Sequence, residues 1–407
     1  MNRTEASSVG AAVVEMMCAG RFHDARERFG PSLRSLISAD KLAAAWESEI
    51  GPDAAIEATD TDSEAVVVRV RSAKGAAQVL MSLEDGRVTG LRIARAAPAW
   101  LPPDYAKTEF FDEEEVCLGH ASDSVPGALC VPRGAGPHPA VVLLSGGGPF
   151  DRDGTTGPNK PMKDIAWGLA AAGVVVLRFD KPSYRGAAGI APTADYVPPA
   201  VAAVRRLRER DDVDPARVFV LGHSMGGRYA PRVAVAEPGV AGLVLLAADT
   251  QPMQRAAVRV GRYLMSVAPE SARAWLPDPE ELLAQAARVE DPDLPESTPA
   301  DELPLGLPAR VWLDLRAYDP VATAVAAHKP MLILQGGRDY QVTVADDLSG
   351  WREGLGDRAD VDIRVYEAVN HMFVAGTGRS TPAEYQAPGH VDGTVVADIA
   401  EWLSRGR

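Results

Sequence analysis

A serine flanked by glycines is the first feature of this chain that could do chemistry. Ser224 stands in GHSMGG (222–227), directly after the apolar run 218–221 and at the start of a helical pattern. Glycines two positions before and after a serine permit the sharp strand-to-helix turn that lifts its hydroxyl clear of a sheet. The sequence therefore predicts that Ser224 is a nucleophile. The competing interpretation is a serine that only caps the helix.

A serine hydroxyl is a weak nucleophile unless a histidine accepts its proton and a carboxylate orients that histidine. Asp339 follows one apolar run and His371 follows the next, in the chain order that this turn motif requires. We therefore predict that Ser224, Asp339 and His371 form a catalytic triad. The competing interpretations are an aspartate in a surface turn and a structural loop histidine.

Two further residues stay open for these roles. Asp249 directly follows the apolar run 240–248 and could orient a histidine in place of Asp339. His390 follows the loop of His371 and is the alternative base.

The oxyanion that forms during acyl transfer needs two fixed N–H donors. The backbone of Met225 is one expected donor, because this residue follows the nucleophile. The second donor is expected in SGGGP (145–149), where three glycines let the backbone approach a substrate oxygen. Gly147 is the first choice and Gly148 the second. Neither phosphate-binding loop pattern fits this stretch.

Alternating strands and helices must position these residues. Short β-branched runs separated by helical patterns are typical of a parallel sheet covered on both faces, an α/β fold. Strands are predicted at 140–145, 174–179, 217–222, 240–248, 330–336 and 361–366, after two candidate edge strands that flank His120. Helices are predicted at 162–172, at 201–210, from Ser224 and at 392–403.

Residues 251–328 interrupt this alternation with many prolines and short helical stretches. A structureless insertion of this length is improbable in a compact domain, so we expect a helical lid between two strands. Lids cover sites, and this one would cover Ser224.

The first 100 residues have a different pattern. Apolar side chains recur at helical spacing up to Trp46. Strands are then predicted at 65–70, 76–83 and 87–94. Asp85-Gly86 between the last two is a strong tight-turn signal. We expect a small α+β domain over residues 1–100, and the Pro/Ala connector at 95–103 marks its boundary.

Composition excludes other classes of protein. The 407 residues are 46% hydrophobic and 24% charged, with no apolar run of the ~18 to 20 residues that span a membrane. The formal charge of −14 repels nucleic acid and anionic membranes, so neither is an expected partner. Three cysteines without C-x-x-C spacing indicate neither disulfides nor a zinc site. Glu15 interrupts the apolar stretch near the N-terminus, and we expect a cytoplasmic protein.

Four blocks of sequence resemble those of a known family. GGGPFDRDG (146–154), GPNKP (157–161), DIAWGL (164–169) and LRFDK (177–181) are similar to blocks of bacterial α/β-hydrolase esterases of the EstD-like type. The resemblance covers residues 106–407 and implies an α/β-hydrolase fold with Ser224, Asp339 and His371 as its triad.

Two positions depart from the family pattern. Gly147 stands where the family has serine, and DKPS (180–183) stands where it has D-K-R-T. The charged residues 151–153 are expected to form an ion-pair lattice rather than to touch substrate. The N-terminal unit resembles the small DUF3887 domain that precedes such hydrolases.

These residues predict a serine hydrolase that cleaves a carboxylic ester or lactone through an acyl-enzyme. The alternative is a lyase or cyclising acyl transferase that acts on a specialised intermediate in the same pocket. A third interpretation is an inactive binding module. No metal or organic cofactor is implied, and the expected partner is the small-molecule ester or lactone. For the N-terminal domain we expect a homodimer contact or a partial roof over the pocket.

Overall fold

A four-stranded antiparallel sheet and four helices form the N-terminal unit. The elements are α1 Arg3–Cys18, α2 Phe22–Glu27, α3 Pro31–Leu36, α4 Ala39–Glu49, β1 Ala55–Thr61, β2 Val66–Ser72, β3 Gly75–Glu84 and β4 Arg87–Arg95. Alternate side chains of β2 and β3, such as Val68 and Val79, are buried against Met17 and Trp46. The predicted small α+β domain is confirmed.

The computed structural model describes residues 3–61, 66–95, 99–119, 124–186, 189–273 and 276–405. It divides into two units between Ala99 and Trp100. His120, residues 96–98 of the predicted connector and residue 65 of the first predicted strand lie outside the described residues.

An eight-stranded sheet forms the centre of the second unit, in the order β12-β11-β10-β9-β7-β8-β6-β5. Its strands are β5 Phe111–Leu118, β6 Val125–Pro132, β7 His138–Leu144, β8 Val175–Phe179, β9 Val213–His223, β10 Leu243–Leu246, β11 Met331–Gly336 and β12 Val361–Tyr366. The six strands from β7 to β12 are parallel, while β5 and β6 are antiparallel. Both β5 and β6 were expected at the edge, but β6 lies between β5 and β8.

Helices cover both faces of this sheet. They are α5 Pro161–Ala171, α6 Pro192–Arg208, α7 Met225–Ala236, α8 Met253–Val267, α9 Glu270–Arg273, α10 Pro279–Glu290, α11 Ala309–Arg316, α12 Pro320–Ala327, α13 Ser349–Leu355 and α14 Gly393–Ser404. Ile165 of α5 and Ile399 of α14 belong to one core, and Val204 of α6 and Val233 of α7 belong to the other. The parallel strands lie between these two layers of helices. Burial on both faces explains why their sequences are near-continuous apolar runs.

Helix α6 begins nine residues before the predicted start at residue 201. Pro198 and Pro199 lie inside it, and prolines at such positions normally end a helix. Pro192 occupies the first turn, where its fixed φ favours helix. Burial of Tyr196 and Pro199 holds the segment helical, so tertiary packing overrides the local preference here.

Five helices, α8 to α12, occupy the insertion between β10 and β11. The insertion packs in two parts. Val258 of α8 and Leu282 of α10 share a small cluster of their own. Trp312 and Tyr318 are instead buried in the core that covers the sheet. Among the described helices none is long and apolar enough to cross a membrane.

Residues 100–407 are expected to fold without the N-terminal unit, because the buried side chains of the two large cores all come from residue 111 onward. Thermal unfolding followed by circular dichroism measures this. A chain that starts at residue 111 is the matched control, since it lacks Trp100 and Tyr105. These donate to Asp164 Oδ1 and to the carbonyl of Val391, each at 2.8 Å. We expect the shorter chain to unfold several degrees lower. A 100–407 chain without a cooperative unfolding transition would contradict the prediction that these residues fold on their own.

Candidate active site

Ser224 occupies a strained turn between β9 and α7. Its backbone has φ 54° and ψ −124°, a conformation that L-residues rarely adopt. Strain of this kind costs about 1–3 kcal/mol and persists only where the surroundings enforce it. The N–H of Ser224 donates to the carbonyl of Leu246 at the end of β10 (2.8 Å), which fixes the turn above the sheet.

Three glycines are required by the close approach of α7 to the strands. A Cβ atom at Gly222 would lie 2.2 Å from the carbonyl oxygen of Gly226. At Gly226 it would lie 2.5 Å from the carbonyl oxygens of Leu144 and Ser145, which end β7 and begin the next loop. At Gly227 it would lie 2.7 Å from the side chain of Ala248. No side chain can replace these hydrogens without moving backbone.

Asp339 and His371 lie together at the carboxyl ends of β11 and β12. His371 Nδ1 is 2.7 Å from Asp339 Oδ2, and the carboxylate is fully buried. Asp339 Oδ1 accepts from the N–H groups of Gln341 (2.8 Å) and Val342 (3.0 Å), while Gln335 donates to Oδ2 (3.3 Å). Because a carboxylate only accepts, Nδ1 carries the ring proton and Nε2 is left as an acceptor.

A second network shapes the loop of His371. Asn370 Oδ1 accepts from the N–H groups of Met372 (3.0 Å) and Val374 (3.2 Å). Its amide nitrogen donates to Glu384 Oε2 at 2.9 Å. The sequence reasoning missed Asn370 and Glu384. The available signal was the polar Asn370 next to the predicted base in a loop that must turn sharply.

His223 connects the serine turn to the histidine loop. Its Nε2–H donates to the carbonyl of His371 at 2.7 Å, and the two rings lie 4.8 Å apart. Burial, with a smaller contribution from the neighbouring His371, lowers the pKa of His223 to about 3. The ring is therefore neutral at working pH and packs beside the turn.

The glycine loop after β7 lies against Ser224 and Met225. A Cβ atom at Gly146 would be 3.5 Å from Cβ of Ser224, and one at Gly147 would be 3.5 Å from Cβ of Met225. Met225 begins α7, and the first N–H groups of a helix have no intrahelical acceptor. Gly148, with φ of 102°, has Phe150 as its near neighbour instead. Gly147 rather than Gly148 thus lies beside Met225, and its assignment as the loop donor stays a prediction.

The two alternative residues are paired with other groups. Asp249 Oδ2 accepts from Arg228 at 2.9 Å. His390 Nδ1 lies 3.2 Å from both carboxylate oxygens of Asp164. Asp164 also accepts from the N–H of Val391 at 3.0 Å. Burial raises the pKa of Asp164, against the opposing effect of these donors.

Of the charged residues 151–153, Arg152 and Asp153 are part of an ion-pair lattice. Arg152 Nε donates to Asp180 Oδ1 at 3.0 Å. Asp153 accepts from the buried Arg178 at 3.0 Å and from Lys160 at 2.7 Å. Asp151 was expected in the same lattice but instead accepts from the N–H (2.8 Å) and the hydroxyl (2.6 Å) of Thr155. Across the described residues, no group of three or more His, Cys, Asp or Glu side chains could hold a metal ion.

The alpha/beta hydrolase family model matches residues 141–385, more than half of the chain. This chain belongs to that family, and its order of strands, serine turn and acid–histidine pair fit the fold that the sequence predicts. The match does not include the N-terminal unit, so the resemblance of that unit to DUF3887 stays a prediction.

The chain is also similar to individual proteins. Esterase EstD of Thermotoga maritima is 37% identical over 337 residues, which cover 81% of this chain and 77% of EstD. The protein is therefore an enzyme of the α/β-hydrolase class. The 2,6-dihydropseudooxynicotine hydrolase of Paenarthrobacter nicotinovorans is 29% identical over 126 residues, 30% of this chain and 31% of that protein. A solved esterase of Pyrobaculum calidifontis has 18% identity and a TM-score of 0.44, covering 72% of this chain and 85% of that one.

Replacing His223 by glutamine is expected to make the protein less sensitive to acid. In the unfolded chain His223 has an ordinary pKa of about 6.5. Below that pH, His223 is protonated in the unfolded state but stays neutral in the folded state. Stability is therefore lost as pH falls from about 6.5 towards 3, by about 2 kcal/mol at pH 5. The amide of His223→Gln can still donate to the carbonyl of His371 but does not titrate.

Urea unfolding at pH 8 and pH 5 measures this effect. The wild type should lose more free energy of unfolding between the two values than His223→Gln does. His23→Gln, at an exposed position of the N-terminal unit, is the control and should follow the wild type. Equal losses in wild type and His223→Gln would show that His223 takes up a proton in the folded state.

Proposed function

We propose that this enzyme is a serine hydrolase that cleaves a small carboxylic ester or lactone through an acyl-enzyme. The observation that carries the proposal is the 2.7 Å hydrogen bond between His371 and the buried Asp339. This pair lies in the loops that follow neighbouring strands, and Ser224 occupies its strained turn on the same edge of the sheet. The alternative interpretation of Asp339 was an aspartate in a surface turn. Burial of its carboxylate and its four hydrogen bonds speak against that alternative.

In the first step, Nε2 of His371 accepts the hydroxyl proton of Ser224 while Oγ attacks the carbonyl carbon of the substrate. Asp339 keeps the ring in the tautomer with Nε2 free and stabilises the imidazolium that forms. The carbonyl π electrons move to oxygen, which becomes the oxyanion. The N–H groups of Met225 and Gly147 are assigned to bind it.

In the second step, His371 returns the proton to the leaving oxygen as the ester bond breaks. The released group is an alcohol for an ester, or a hydroxyl tethered to the acyl chain for a lactone. Water then attacks the acyl-enzyme while His371 accepts its proton. The bond between the acyl carbon and Oγ breaks, His371 gives the proton to Oγ, and the carboxylic acid product leaves free Ser224. The esterase name of the 37% identical Thermotoga relative supports an ester as substrate.

We also propose that the insertion 251–328 acts as a lid. Arg259 of α8 donates to the carbonyls of Tyr340 (3.3 Å) and Gln341 (3.1 Å), directly after Asp339. Tyr263 stacks in parallel on Tyr340 with ring centroids 4.8 Å apart. Helix α8 therefore contacts the loop that follows Asp339.

The free cysteines Cys18, Cys117 and Cys130 fit a reducing compartment and support a cytoplasmic location.

Ser224→Ala and His371→Ala should each lower turnover of 4-nitrophenyl esters at least about 1,000-fold, because the two residues act as one unit. Both variants should keep the circular dichroism spectrum of the wild type. Labelling by a fluorophosphonate should disappear in Ser224→Ala and persist in the control Ser404→Ala, whose serine lies near the end of α14. Hydrolysis in ¹⁸O water should place one label in the acid product. Turnover within tenfold of wild type in either triad variant would contradict the mechanism.

The identity of the acid is a separate prediction. Asp339→Asn should be badly impaired, since an amide nitrogen facing Nδ1 favours the wrong histidine tautomer. Asp249→Asn should keep most of its turnover, because Asp249 is paired with Arg228. Steady-state kinetics of the two isosteric variants, with unfolding measured in parallel, compare them directly. The reverse ranking would transfer the role to Asp249.

A further inference from the structure

The carbonyl of Gly146 is held by two buried side chains outside the triad. Lys181 Nζ donates to it at 3.0 Å and the Tyr196 hydroxyl donates at 2.6 Å. Lys181 is 2% exposed and Tyr196 is 1% exposed. Neither side chain has a part in the acid–base steps described above.

This carbonyl belongs to the same peptide group as the N–H of Gly147. A peptide group is planar and trans, so its C=O and its N–H point in opposite directions. Holding the oxygen of Gly146 towards Lys181 and Tyr196 therefore sets the direction of the Gly147 N–H. The loop needs such a constraint, because three consecutive glycines, residues 146–148, leave its backbone free to rotate.

We propose that Lys181 and Tyr196 are positioning residues for the oxyanion hole: by binding the Gly146 carbonyl they aim the Gly147 N–H at the reacting carbonyl oxygen. This inference rests on the proposed serine-hydrolase function and deepens it. The loop lies beside the source of the other donor, since a Cβ atom at Gly147 would be 3.5 Å from Cβ of Met225.

Further hydrogen bonds hold Lys181 and Tyr196 in place. Lys181 Nζ also donates to the Tyr196 hydroxyl (2.8 Å) and pairs with Asp195 Oδ2 at 3.1 Å. Asp195 accepts from both the N–H and the hydroxyl of Ser183 at 2.8 Å. Ser183 is one of the residues at which this chain departs from the family block, and its hydroxyl anchors the network.

Simple core filling does not account for this arrangement. Burying an ammonium and a carboxylate carries a desolvation cost that apolar side chains of similar volume would avoid. Two donors on one carbonyl oxygen also use both of its lone pairs, so the peptide cannot turn without breaking buried hydrogen bonds. The polar groups are thus arranged around one function, the orientation of the peptide between Gly146 and Gly147.

Tyr196→Phe tests the proposal because it removes one donor and keeps the ring. Tyr229→Phe is the matched control. Tyr229 stacks on Tyr196 with centroids 5.4 Å apart and an interplanar angle of 14°, and its hydroxyl donates to Asp314 at 2.8 Å. Both variants therefore lose hydrogen bonding by a tyrosine hydroxyl in one aromatic stack, but only Tyr196→Phe removes a donor from the Gly146 carbonyl.

Two readouts separate positioning from general damage. The first is the division between kcat and KM for a 4-nitrophenyl ester. The second is inhibition by a trifluoromethyl ketone, to whose carbonyl carbon Ser224 Oγ adds while the serine proton moves to His371 and the carbonyl oxygen becomes an oxyanion. The matching methyl ketone binds without this addition. We expect Tyr196→Phe to lose about tenfold in kcat and in affinity for the trifluoromethyl ketone, with KM and methyl-ketone affinity within twofold.

The possible outcomes are distinct. Tyr229→Phe should retain both constants within twofold. Asp195→Asn, which weakens the hold on Lys181, should shift kcat and trifluoromethyl-ketone affinity together by about threefold, and it decides the matter if Tyr196→Phe does not fold. Unchanged trifluoromethyl-ketone affinity in the folded variants, or equal losses in Tyr229→Phe, would overturn the positioning role. Failure of the proposed function looks different: the wild type would not bind this ketone, and Ser224→Ala would turn over ester as fast as the wild type.

Discussion

The close approach of helix α7 to the ends of β7 and β9 is the constraint on which the site depends. Gly226 lies so near the carbonyls of Leu144 and Ser145 that only a hydrogen fits between them. The helix therefore starts without a connecting loop, and Ser224 must take a positive φ to join it to β9. The same contact puts Met225 beside the glycine loop. One steric limit thus sets the position of both the proposed nucleophile and the proposed oxyanion donors.

Two groups with no fixed orientation of their own are each held by buried partners. The imidazole of His371 can rotate about its side chain, and Asp339 holds it through Nδ1. The peptide after Gly146 can rotate because glycines surround it, and Lys181 and Tyr196 hold it through its oxygen. In both cases the partner binds the side opposite to the group that the proposed mechanism uses, Nε2 of His371 or the N–H of Gly147. Such fixed orientation before substrate binds is what catalysis by preorganised groups requires.

Apolar runs and glycine spacing made much of this molecule predictable. The six parallel strands, the turn at Ser224 and the helix that follows depend on local patterns, and the structure has them close to the predicted bounds. The start of α6 was missed because Pro198 and Pro199 oppose helix locally, and only burial in the core overrides them. Strand β1 was missed because its half-exposed residues lack a clear alternation.

The partners of the site were harder to predict than the site itself. Lys181 stood in a visible sequence block, but its contact with the Gly146 carbonyl spans 35 residues and depends on how β7 and β8 pair.

The packing of the insertion 251–328 limits which of its residues can change independently of the sheet. Trp312 of α11, Val289 of α10 and Tyr318 belong to the core of the sheet, whereas Val258 of α8 and Leu282 of α10 belong to a separate cluster. The insertion is therefore not one exchangeable module. Val258 and Leu282 could change together within their own cluster, whereas replacing Trp312 or Tyr318 would require a matching change in the sheet and its helices.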